Sequence, residues 1–284
     1  MLKNKAVMAA VVLLAVSACA PVDETPTAAG PATGAACAKD KLATLAAGKL
    51  TFGTDEPVYQ PWFVDNKPES GQGFESAVAY AVAGKLGYAP ADVAWTRVPF
   101  NAAIQPGKKP YDVDVNEFSI TDERKQAVDF STPYYDVAQA VIAPKNSPAT
   151  VARSLAELKK VKLGAQVGTT SYDAAQRVAP EQQVAVYNTN DDAKAALRNG
   201  QIQALVLDLP TAFYVTSAEL PDATIVGQLP RGEGKPEQFG LVLDKGSSLT
   251  PCVSGAVDGL RSDGTLAKLE QEWLTTAGNA PELK

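Results

Sequence analysis

The sequence predicts an α/β protein of two lobes, each a mostly parallel sheet flanked by helices. Short apolar strand patterns alternate with helical patterns along most of the chain, as expected for parallel strands joined by covering helices. The alternation restarts near Lys145, and its units are too many for one small sheet. The 284 residues are enough for one large or two medium domains.

"KLTFGT" from Lys49 reads as a strand and turn. In "GFESAVAYAVAGKLGY", Phe74, Val78, Ala81, Val82 and Leu86 share one helical face, and Gly87 ends the helix. "VAWTRVP" is a second strand, and "FNAAIQPGKKP" a short helix broken at Pro106 and Gly107. "YDVDVNEFSI" is a third strand, "TDERKQAVD" a short helix and "AQAVIAP" a longer apolar strand. After the restart, "SLAELKK", "YDAAQRVA", "TNDDAKAALRNG" and "LPTAFYVTSA" read as helices. Between and after them, "VKLGAQV", "QQVAVYN", "IQALVLD", "ATIVGQL" and "FGLVLD" read as strands. "SLTPCVSGAVDGLRSDGTLAKLEQEWL" supplies the last helices.

A net charge of −6 argues against nucleic-acid binding. The chain has no histidine, which removes the usual general base and most zinc sites. Asp112, Asp114 and Glu117 alternate too loosely for a metal cage, so neither metal nor cofactor is expected.

Residues 1–18 read as a signal segment: Lys3 and Lys5 precede an apolar run from Ala6 to Ala18, too short to span a bilayer. The run ends in "VSAC" and resembles the lipobox of bacterial lipoproteins, which implies acylation of Cys19 and a lipid anchor on the extracytoplasmic face of the cell membrane. Residues 19–36, rich in Ala, Pro, Thr and Gly, read as a flexible tether. Export permits a disulfide between the remaining cysteines, Cys37 and Cys252.

Ligands of open α/β sheets bind beyond the carboxyl ends of strands, beside helix N-termini. Three such places stand out. "GTTS" at Gly168 joins a strand to a helix and can hold an anion, or simply cap the helix through Thr170 or Ser171. Arg124 opens a short helix, where its charge opposes the helix dipole, so it is either solvated or awaiting an anion. Asp208 ends a buried strand before Pro210, and either caps the next helix or meets a cation. A carboxylate for Arg124 and an ammonium for Asp208 together describe an α-amino acid.

From Lys49 to Leu274 the chain resembles the family 3 solute-binding proteins of ABC transporters, which bind polar amino acids. The resemblance is carried by "FGTDEPVYQPW", "GQGFESAVAYAVAGKLGY", "YDVDVNEFSITDERKQAVDFSTPYY", "LGAQVGTTS", "ALVLDLPTA" and "SDGTLAKLEQEW", in family order. It implies a type II periplasmic-binding-protein fold: two lobes, 37–139 plus 238–284 and 140–237, joined by two crossover strands around a cleft that closes by hinge motion. Arg124 then clamps the ligand α-carboxylate with Ser119 and Thr170, Asp208 takes the α-amino group, and Tyr59 and Phe100 sandwich the side chain. "DFSTPYY" leads into the crossover. By the same resemblance Asp55 meets the distal end of the ligand side chain, and Glu117 either faces that side chain or points to solvent or a neighbouring base. Two carboxylates favour arginine, lysine or ornithine, with glutamine still open. Glu75, where the family has Asp, is expected to matter little to the ligand. The implied partners are an ABC permease and, through the anchor, the membrane, with a monomeric protein. Two alternatives stay open: a cyclohexadienyl dehydratase-like enzyme on this fold, and a ligand-sensing partner of a membrane receptor.

Overall fold

A computed structural model gives the fold for residues 34–232, 236–274 and 280–284, all within the unit Pro31–Lys284. The expected signal segment, Cys19 and the tether as far as residue 33 lie outside the described residues.

The first five-stranded sheet comprises β1 (Leu50–Thr54), β2 (Val93–Arg97), β3 (Val113–Asp114), β4 (Val128–Phe130) and, from far down the chain, β12 (Val242–Asp244), in the order β2-β1-β3-β12-β4. One face buries Leu50, Phe52 and Val113 against helices α1 (Phe74–Lys85), α8 (Thr250–Ser262) and α9 (Thr265–Leu274). Of the stripe read from the sequence, Phe74, Val78, Val82 and Leu86 are buried and Ala81 is half-buried. Glu75, Ser76, Ala79 and Ala83 are buried as well, because α1 is covered by the sheet and by both C-terminal helices. The other face packs Tyr111, Phe118 and Val242 around Phe100 of the short helix α2 (Phe100–Ala103). The third strand is much shorter than the pattern "YDVDVNEFSI" suggests. Pairing stops soon after Asp114, and the chain leaves through Glu117, whose φ of 51° is incompatible with a strand.

A two-stranded ribbon, β5 (Tyr135–Val137) against β11 (Glu237–Phe239), links this sheet to the second. The second sheet comprises β6 (Gln139–Pro144), β7 (Leu163–Gln166), β8 (Ala185–Tyr187), β9 (Ala204–Asp208) and β10 (Ala223–Gln228), in the order β10-β6-β9-β7-β8. Successive residues of β6 alternate between its two cores, as the pleat requires. Val141 and Ala143 face α4 (Leu155–Leu158) and α5 (Thr170–Arg177); Ala140 and Ile142 face α6 (Asn190–Arg198) and α7 (Leu209–Tyr214).

The sheets are mostly parallel, as the alternation suggested, and each carries one reversed strand. β1 runs parallel to β2 and β3, and β7 to β8 and β9. β12 runs against β3 and β4, and β6 against β9 and β10. These are the strands that continue from the ribbon, so each enters its sheet against the βαβ units.

The structure joins Cys37 to Cys252 by a disulfide, with Cα atoms 5.4 Å apart. Residues 280–284, grouped with the first lobe from the sequence, instead lie along β10 of the second sheet. Gln228 N donates to Pro281 O at 2.7 Å, Leu283 N to Gln228 O at 2.9 Å, and Leu283 enters the second core. Gly227 permits the approach, because a Cβ there would come within 2.7 Å of Pro281 O.

Candidate functional site

The carboxyl ends of both sheets meet around one cavity. Asp55, Tyr59, Phe100, Glu117, Arg124, Thr170 and Asp208, all singled out from the sequence, line a space of about 490 Å3, open solvent at its mouth included. Ser119 lies beside it, its hydroxyl donating to Glu237 Oε1 at 2.5 Å. Having spent that proton, Ser119 accepts from the Thr170 hydroxyl 3.0 Å away.

Arg124 is buried at the start of α3 (Arg124–Ala127), where Thr121 Oγ1 accepts from its backbone N–H at 3.1 Å. Its guanidinium stacks over the Phe100 ring at 5.4 Å and donates to Ser119 O at 2.7 Å. It also donates to Gly168 O, on the second-sheet side, at 2.9 Å. Gly168 has φ 72° and would push a Cβ into the Asn101 side chain, so glycine serves both the turn and the close approach. The cap of α5 is Thr169, which accepts from Tyr172 N at 3.1 Å. Neither Thr170 nor Ser171, the caps suggested by the sequence, is used this way; both residues line the cavity, and their hydroxyls bond Ser119 and Gln139.

Asp208 stands at the N-cap position of α7 but makes no side-chain cap bond. Its carboxylate accepts from Gln139 Nε2 at 2.6 Å and is hydrogen-bonded to the Glu117 carboxyl. Glu117, half-buried and lining the cavity, thus pairs with a carboxyl rather than a base, and Thr211 Oγ1 donates to its Oε2 at 3.0 Å. Glu75, expected to matter little to the ligand, lies next to Glu117. Fully buried, it accepts from Glu117 N at 2.6 Å and from the Tyr134 hydroxyl, and so holds the left-handed Glu117 backbone in place. Asp55 accepts from the backbone N–H of Glu56 at 2.7 Å and from that of Phe100. Tyr59 reaches the Asp191 backbone across the cavity mouth, with Lys194 Nζ 4.8 Å from its ring centroid.

Sequence reasoning missed several lining residues, and two neighbours that organise them. Asn190 begins α6 just beyond β8, so the strand-end rule that flagged "GTTS" would also have found it. Gln139 and Glu237 carry no such local signal. Gln139 accepts from Ser171 Oγ at 2.6 Å while its amide donates to Asp208 and to Glu237, which fixes its orientation.

The profile of bacterial extracellular solute-binding proteins, family 3, matches residues 50–276. The chain belongs to this family. It is 28% identical over 236 residues to the ABC transporter arginine-binding protein 1 of Escherichia coli (strain K12), covering 80% of this chain and 91% of that one. Other matched relatives are named for cystine and glutamine binding. An ancestral arginine-binding protein bound to arginine superposes with a TM-score of 0.66 at 33% identity, covering 80% of this chain and 98% of that one. An ancestral amino acid-binding protein, a precursor of cyclohexadienyl dehydratase, does so with 0.66 at 28% identity, covering 80% and 95%. Two sheets joined by the β5–β11 ribbon make this solute-binding protein a type II periplasmic-binding-protein fold.

Acidity dominates the cleft of this family 3 protein. Burial pushes Asp208 up to about 8, and the nearby Glu237 charge adds to the rise. Burial also raises Glu117 well above the carboxylate range, followed by the charges of Asp208 and Glu75. Two hydrogen-bonded carboxyls cannot both ionise cheaply, so the pair keeps a proton. Asp55 is likewise raised by burial, although backbone donors oppose the rise. Arg124 is the basic residue among those lining the cavity. Burial lowers its guanidinium somewhat and Glu237 offsets this, leaving a cation within a surplus of carboxyls. Such a site can hold a carboxylate at Arg124 and one or more cationic groups elsewhere.

Proposed function

We propose that this protein is the ligand-capturing component of an amino-acid ABC importer and that its ligand is a basic amino acid: arginine, lysine or ornithine. The observation that carries the reading is one guanidinium, Arg124, facing Thr170 across a cavity that also holds Asp55, Glu117 and Asp208. An α-carboxylate fits between Arg124 and Thr170. An α-ammonium fits Asp208, and a side-chain cation answers the remaining negative charge. The Arg124–Gly168 and Ser119–Thr170 bonds span the cleft. Ligand contacts made on both sides at once favour the closed arrangement, and the β5–β11 ribbon is the natural hinge. Lipid on Cys19 holds the body at the outer face of the membrane, beside the permease, and the protein acts as a monomer.

A thermal-shift screen of residues 37–284 against the twenty amino acids and ornithine tests this, because a ligand specific to the folded state raises the melting temperature. Shifts with arginine, lysine or ornithine support the reading. A shift with glutamine alone keeps amino-acid capture and discards the basic preference. No shift in ligand-free protein overturns both. One observation favours an enzyme instead: a protonated Glu117 in the same cavity as Arg124, placed to act as a general acid on a bound carboxylic acid. Turnover of prephenate or arogenate would establish that alternative, and unchanged substrate would remove it.

A further inference from the structure

Behind the cavity, outside its lining, a buried hydrogen-bond relay crosses between the two halves of the fold. Trp62 lies against the first core, fully buried and edge-on to Phe74, Tyr135 and Phe239. Its indole Nε1–H donates to Thr211 Oγ1 at 2.7 Å. Thr211 belongs to α7, on the second sheet, and is 3% exposed. An indole nitrogen is a donor only, and a threonine hydroxyl carries one proton. Once it accepts from Trp62, Thr211 must send that proton elsewhere, and Glu117 Oε2 lies 3.0 Å away. The direction of the relay is therefore determined: Trp62 to Thr211 to Glu117. The same carboxyl is hydrogen-bonded to Asp208.

The opening turn of α7 thus grips Glu117 twice, through Asp208 at its cap position and through Thr211 three residues on. The Glu117 backbone is pinned separately by Glu75. A donor aimed at a carboxylate oxygen stabilises its charged form, so Thr211 opposes the rise that burial and the charges of Asp208 and Glu75 impose on Glu117.

We propose that Thr211 is a positioning residue of the ligand site: its hydroxyl, oriented by the Trp62 indole, holds the Glu117 carboxyl beside Asp208 and so sets the preference for cationic over neutral amino acids. The preference it sets is the one proposed above, and the proposal rests on that reading. Thr211→Val removes the proton without changing the shape, and Thr211→Ser restores it. By calorimetry at neutral pH, Thr211→Val weakens arginine binding roughly tenfold or more, the size of a lost hydrogen bond to a charged group. It also narrows the gap to glutamine and alters the dependence of Kd on pH, while Thr211→Ser stays within about threefold of the parent by the same measure. Parental affinity and pH profile in Thr211→Val would overturn the proposal. So would equal losses in Val and Ser, which would assign the effect to packing.

A second measurement stands apart from the identity of the ligand. Each of the three tryptophans contributes an indole N–H resonance in the ligand-free protein, and Trp62→Phe assigns that of Trp62. That resonance should move with pH in the parent and in Thr211→Ser as the Glu117 pair titrates, and be stationary in Thr211→Val. A pH-independent Trp62 resonance in the parent would refute the relay even if no amino acid bound. A moving resonance with no amino-acid ligand would instead fault the functional reading.

Discussion

Binding of arginine should expel a proton from the cleft. The free site holds Glu117 hydrogen-bonded to Asp208, both raised chiefly by burial, Asp208 to about 8. An ammonium group placed on Asp208 favours the ionised form and lowers that value, so protons leave as ligand enters. Linkage then sets the sign: affinity rises with pH while the free pair is protonated, and levels off above about pH 8. With one proton released per ligand, Kd falls at most tenfold per pH unit. Between pH 6 and pH 8 that amounts to about 2.7 kcal/mol of extra binding free energy. Calorimetry at pH 7 in phosphate and in Tris measures the proton count directly, because the observed heat varies with the ionisation enthalpy of the buffer. A slope near one proton is expected. Glu117→Gln removes one of the two hydrogen-bonded carboxyls but leaves Asp208 raised by burial and by Glu237, so the release should fall without vanishing. Equal heats in the two buffers for the parent protein, or an unchanged slope in Glu117→Gln, would refute the shared-proton reasoning.

Three further outcomes follow from the geometry. Arg124→Ala should weaken amino-acid binding by about 2–5 kcal/mol, and Arg124→Lys should recover only part of that, since a point charge cannot reproduce the planar fork; near-parental affinity by calorimetry would remove the carboxylate clamp. Glu75, pushed by burial from 4.5 to about 7, favours the fold while protonated and loses that contribution as pH rises through about 7. Urea unfolding of Glu75→Gln should therefore lack about 1.4 kcal/mol of the parent's decline in stability between pH 6 and pH 8.5. Deleting residues 280–284 exposes the pocket of Leu283 and strips Gln228 of its backbone partners. About 2–3 kcal/mol of lost stability is expected from one buried leucine alone. That is about 5–10 °C in Tm by scanning calorimetry.

The two-lobed α/β class was legible because local periodicity and turn chemistry carry it. Phe74, Val78 and Val82 fall on one helical face whatever they pack against, and "GTTS" reads as a strand-to-helix turn from four residues. The one reversed strand in each sheet was not legible, since it depends on which strand continues from the ribbon. The short third strand was also hidden, because left-handed Glu117 is held by Glu75, 42 positions away.

What the sequence by itself determined is the set of chemical groups at strand ends and helix starts: Arg124, Thr170 and Asp208 stand where backbone geometry alone turns a side chain toward a cleft. Only the tertiary structure decided how those groups are charged and held. Glu117 meets Thr211 over 94 positions, and Trp62 meets Thr211 over 149. Glu237 reaches Ser119 over 118, and the residues after 279 close the edge of the second sheet. The physical reason is range. Strand and helix patterns are set by neighbours a few residues apart, whereas the ionisation of a buried carboxyl depends on every donor and charge that packing brings within a few ångströms, from anywhere in the chain.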